Sequence, residues 1–226
     1  MADDAQMAQL AQCLSASLSP DQAQRAHAEQ FLTQGATSPG FSILLLKLLA
    51  APEQQPGGPL DARVRQAAAV AFKNLVKAHW VQKEPDVVGA PAPYAVPEPE
   101  KAQVRALLVG LMLSAPRLVR AQLSEALAIV SAADFPARWP QLLPELVQRL
   151  QAGQGGAARD FDQIAGVLTT ANAIFKRFRD AYKTEDLYRE LKYVLDEFVA
   201  PSVALFLEVV EPVSYTHLTL PTICSV

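Results

Sequence analysis

Two cysteines, Cys13 and Cys224, stand near opposite ends of this 226-residue chain. That pair supports neither a disulfide framework nor a cysteine-rich zinc site. Histidine is as scarce: His27, His79 and His217 lie far apart, and none has ligand-type neighbours in sequence. No metal or cofactor is therefore expected. Glycine, at 10 residues, nowhere forms a GxxxxGK[ST] phosphate loop. "GQGG" at 153–156 follows a helical pattern instead of a strand, so it is a linker and not a dinucleotide turn. HExxH is missing, no Ser, His and Asp are recognisably arranged, and an enzyme is not expected. With a net charge of −3 there is no basic excess, so nucleic acid is not implied. "MADDAQMAQLAQCL" lacks the cationic start and apolar run of a signal peptide. The longest apolar run, Phe41 to Ala51, contains Lys47 and falls short of the ~20 residues that span a bilayer. These absences describe a soluble intracellular chain that does not insert into membranes.

Apolar residues, half of the chain, are present in quantity, and they recur with helical period almost everywhere. The first helix is expected over about 5–18. Ser19 and Pro20 read as N-cap and first helical position of a second, which Gly35 closes. "SPGFSILLLKLLAA" makes a third, and Asp61 caps a fourth, in which Val64, Ala68, Ala71, Phe72, Leu75 and His79 share one face. After a Pro/Ala-rich loop at 85–99, two helices separate near Ser114 and Pro116. "FDQIAGVLTTANAIFKRFRDAY" carries a complete apolar stripe, and a long last helix has Pro201 late in it, expected to kink or break it.

These helices form pairs. The centres of the second helices fall about 44, 54 and 47 residues apart, against ~40–47 for HEAT and armadillo arrays. The long interval holds the Pro/Ala-rich loop. The expected architecture is all-α: a right-handed α-solenoid of HEAT repeats, antiparallel helix pairs, with about four repeats plus the start of a fifth. A globular helical bundle is the alternative. Residues 1–212 make up the array, and "VSYTHLTLPTICSV" at 213–226 reads as a non-native or disordered tail on a truncated chain. The apolar "ALFLEVV" before it is expected to be exposed and to promote self-association.

Two places stand out. In "DFPARWPQLLPELV", Asp134 reads as the cap of a helix, Pro136 as a residue without an amide to orphan, and Pro140 as the start of the main run. With Phe135 and with Trp139 wedged between, they read as a structural joint between repeats. On the fourth helix, Arg63, Gln66, Val70, Lys73 and Lys77 line up opposite the apolar face, with Asn74 beside them. In a HEAT pair that stripe faces the inner surface, where solenoids hold partners. Trp80 lies near the same side, which favours a contact surface; the alternative is an ordinary solvated face. "KRFR" at 176–179 reads as a solvated basic last turn.

Several of these stretches resemble the importin-β/karyopherin family. "LSPDQAQRAHAEQFL" is similar to the second helix of its first repeat, and "VRQAAAVAFKNLVKAHW" to that of its second repeat. "DFPARWPQLLPELV" is similar to the element that starts the fourth. "VLTTANAIFKRFRDAYKTEDLYRELKYVLDEFVAP" resembles the CAS-type exportin branch. The resemblance covers about residues 5–210: an importin-β N-terminal-like region at about 20–100 and exportin-type repeats at about 100–212. It implies a nuclear transport receptor shuttling between nucleus and cytoplasm by way of the nuclear envelope. Its partners would be the GTP form of Ran, importin-α in the full-length receptor, and nuclear-pore FG repeats. By position it implies that Lys73, Asn74 and Lys77 engage Ran, with Arg63, Gln66 and Val70 as neighbours. The rivals are an importer of the same family and a HEAT scaffold unrelated to Ran.

Overall fold

The structure is a computed structural model that describes residues 2–51, 60–85, 91–152, 161–179 and 181–207. Among the described residues all regular secondary structure is helical, with no strand. The expectations for 213–226, and for the turns at 52–59 and 153–160, lie outside them.

Helices α1 (Ala2–Ser17) and α2 (Gln22–Gly35) form the first pair, and α3 (Phe41–Ala50) and α4 (Ala62–His79) the second. The third pair is α5 (Glu98–Ser114) with α6 (Arg117–Asp134), and the fourth is α7 (Leu142–Ala152) with α8 (Phe161–Phe175). Helix α9 (Glu185–Val194) follows a 3-10 turn at Lys176–Arg179. First helices stack α1 to α3 to α5, and second helices stack α4 to α6 to α8, so one apolar core runs the length of the array. Two steps depart from that ladder. At the start, α1 itself reaches α4, and a groove lies between α2 and α4. Further on, α8 packs on α5 as well as α6. Gly166 permits that approach, because a Cβ there would sit 3.0 Å from the Leu113 side chain.

Local chemistry explains the ends of the helices, and corrects several expectations. Asp21, not Ser19, caps α2: its carboxylate accepts from the Ala23 amide at 2.8 Å, while the Ser19 hydroxyl accepts from the Asp21 amide. Pro20 therefore lies outside the helix. Between α2 and α3 the chain turns at Gly40, whose φ of 85° suits a residue without Cβ. The exposed amides that open α3 are met from the third repeat, since Glu100 accepts from Gly40 N at 2.8 Å and from Ser42 N at 3.3 Å. Asp61 caps α4 by accepting from Arg63 N at 2.8 Å. Pro201 neither breaks nor ends the last helix. A single π turn at Leu195–Val199 precedes it, and helical structure runs on through 200–207.

Candidate protein-docking face

The α4 helix divides cleanly. Val64, Ala68, Ala69, Phe72, Leu75 and Val76 are buried, which anchors it against α3 and α6. On its other side Arg63, Asn74 and Lys77 are exposed, and Gln66, Val70 and Lys73 are half-buried. The stripe is therefore a real surface of the molecule, graded from a packed edge to an open one. Beside it the α2–α4 groove has a volume of about 640 Å³ at one end, floored by Leu14, Leu32, Ala67 and Val70 and rimmed by Glu29, Arg63 and Gln66. A second hollow of about 570 Å³ continues it along Ala71, Asn74 and Ala78.

Charge on this face is unevenly satisfied. Lys73 Nζ lies 3.4 Å from Glu125 Oε2 on α6. Among the described residues, neither Arg63 nor Lys77 has a side-chain ion-pair partner. A face with two free cations beside an apolar groove suits a folded protein that brings carboxylates and an apolar anchor. No group of three potential metal ligands occurs among the described residues, and no helix there is long and apolar enough to cross a membrane.

Trp80 does not belong to this face. It is 1% exposed, and its indole Nε1 donates to Asp134 Oδ2 at 3.2 Å. Asp134 does not start a helix either; it is the last residue of α6 and is 1% exposed. Its Oδ2 also accepts from Arg105 Nη1 at 2.7 Å, and Arg105 Nη2 donates to Glu98 at 2.7 Å. Lys101 lies over the Trp80 ring, 5.4 Å from its centroid. That hydrogen bond from Arg105 holds the Glu98 carboxyl below the usual range, against an opposing effect of burial. Burial is the largest influence on Arg105 and disfavours its charge, but the bonds to Glu98 and Asp134 together raise its pKa. The network ties α4, α5 and α6 at one point.

Pro136 follows a cis peptide in the turn after α6, and α7 begins only at Leu142, beyond Pro140. Phe135 and Trp139 are buried there. The basic turn at 176–179 is not simply solvated. Arg177 is half-buried, donates to the carbonyls of Ser131 (3.2 Å), Ala132 (3.4 Å) and Phe135 (3.4 Å), and pairs with Glu190 at 2.6 Å. Sequence reasoning missed Glu98, Lys101 and Arg105. One signal was available: Lys101 and Arg105 fall on the same helical stripe as the buried Leu108 and Met112, and charge on an apolar stripe calls for partners.

Comparison with known proteins bears on this arrangement. The profile "Importin-beta N-terminal domain" matches residues 28–114, which contain the whole of α4, and the profile "Cse1" matches residues 174–219. Exportin-2 of Oreochromis niloticus is 37% identical over 219 residues, 96% of this chain. The chain belongs to the importin-β family. Exportin-2 of Homo sapiens is 38% identical over 216 residues, 95% of the chain. The chain spans about a fifth of the length of these curated relatives, 20% in each case. Among solved structures, the exportin Cse1 in its cargo-free, cytoplasmic state superposes with a TM-score of 0.73 at 30% identity, covering 88% of this chain and 19% of that one. Lph2, a bidirectional nuclear transport receptor of S. cerevisiae, shares the fold with a TM-score of 0.70 at 22% identity, covering 94% of this chain and 19% of that one. The all-α solenoid of paired helices is thus the family's own architecture.

Proposed function

We propose that this chain is the N-terminal arch of an exportin-type nuclear transport receptor, shuttling between nucleus and cytoplasm. In this reading the α4 face docks the GTP form of Ran, and the full-length receptor carries importin-α out of the nucleus. The observation that carries it is the pairing of exposed Arg63 and Lys77, without ion-pair partners among the described residues, with an apolar groove, on the helix inside the importin-β N-terminal match. Arg63, Gln66, Val70, Lys73, Asn74 and Lys77 are its contact residues. Mechanistically the receptor works by coupled binding: Ran's nucleotide state sets the affinity for importin-α through contacts with both. Binding of the chain to Ran loaded with a GTP analogue and with GDP tests the reading. A preference for the GTP form supports it, and equal or absent binding by a folded chain refutes it.

A further inference from the structure

Among the described residues, the α4 face has one internal ion pair, Lys73 with Glu125, and it invites a role. Lys73 keeps 21% of its side chain exposed, so its stem is held against the packed edge and its ammonium reaches only a small volume. Glu125 is 63% exposed and is free to swing away from α6. The pair is not needed to join the two helices, because buried residues of α4 and α6, Phe72, Val76, Leu123 and Leu127 among them, already belong to one core. Among the described residues, Arg63 and Lys77 on this face have no ion-pair partner. The one acid paired there with a cation of this face therefore sits, among the described residues, on its least exposed cation.

We propose that Glu125 is an internal competitor, occupying at Lys73 the place that a carboxylate of a docked partner takes, and so lowers the affinity of this face for acidic surfaces. This rests on the docking reading above and adds to it a residue on α6 that tunes it. When a partner carboxylate arrives, Glu125 rotates into solvent and Lys73 exchanges one oxygen ligand for another. The exchange keeps the half-buried ammonium paired throughout. Part of the attraction of Lys73 for the partner is then spent in displacing Glu125, and a partner without a carboxylate at that position gains nothing by displacing it. Glu125 thereby filters partners as well as weakening them.

The experiment uses the full chain with Glu125→Gln, Lys73→Gln and both together, against Ran loaded with a GTP analogue. Exposed ion pairs being weak, Glu125→Gln tightens binding by roughly threefold. In the Lys73→Gln background the same change has no effect. Equal or weaker binding by Glu125→Gln overturns the proposal, and so does a gain that persists without Lys73. A second readout needs no Ran: acylation of Lys73 by an amine reagent, measured by mass spectrometry relative to Lys77. Glu125→Gln speeds it, whereas an unchanged ratio overturns the proposal. Failure of the docking reading shows separately, as absent or nucleotide-blind Ran binding by the unaltered chain.

Discussion

Trp80 and Asp134 lie 54 positions apart in the chain and meet in its interior, where the indole Nε1 donates to the carboxylate at 3.2 Å. One residue ends the second repeat and the other ends the third. Arg105 completes the contact from α5, so a single buried carboxylate sets how three helices sit on one another. Among the described residues Asp134 Oδ1 has no hydrogen-bond partner, which leaves the carboxylate dependent on the two donors at Oδ2.

Asp134→Ala removes the buried one of two counter-charges from a guanidinium that is 8% exposed and leaves the Trp80 indole without its acceptor; Glu98 still pairs with Arg105, so the cost is about 1–3 kcal/mol for each buried donor left unsatisfied. Urea unfolding followed by circular dichroism reads this as a large fall in the midpoint. Asn74→Ala, on the exposed side of α4, stays within about 0.5 kcal/mol of the unaltered chain.

The same network makes stability depend on pH. Glu98 titrates below its unfolded value because Arg105 bonds its charged form. Its contribution is therefore complete above about pH 4.3 and is lost as pH falls through the lower folded value. The side chain is 55% exposed, so the effect is small. Urea midpoints at pH 5 and at pH 3 differ less for Glu98→Gln than for the unaltered chain.

Arg177, in the turn after α8, ties α9 back to the end of α6 in the third pair. It donates to carbonyls at the end of α6 and pairs with Glu190 on α9, while its ring contacts include Phe178 at 4.7 Å. Arg177→Ala loosens α9 without unfolding the earlier repeats. Hydrogen exchange then accelerates several-fold in residues 185–194 and stays unchanged in α3 and α4.

What sequence reasoning could reach follows from the range of the forces involved. Apolar period located α4, α5 and α6, because it reports burial that each helix carries along its own face. Asp61 was readable as a cap, since its bond to Arg63 spans two residues. Asp134 was not. Its neighbours look like the start of a helix, yet the donors that fix it come from positions 80 and 105. Trp80 misled for the same reason, because its partner lies in another repeat. Ser19 and Asp21 are both good caps two residues apart, and only the backbone decides between them. On the candidate face, the stripe itself was legible as a period. The Lys73–Glu125 pair was not, because it joins two helices across a repeat boundary.

The most direct test of the account is the affinity of this chain for Ran carrying a GTP analogue and for Ran carrying GDP, with an Arg63→Glu, Lys77→Glu variant alongside. Both side chains are exposed and without ion-pair partners among the described residues, so the variant folds. The account predicts a clear preference for the GTP form that the variant loses. Equal binding of both forms, or a preference that survives the double charge reversal, contradicts it.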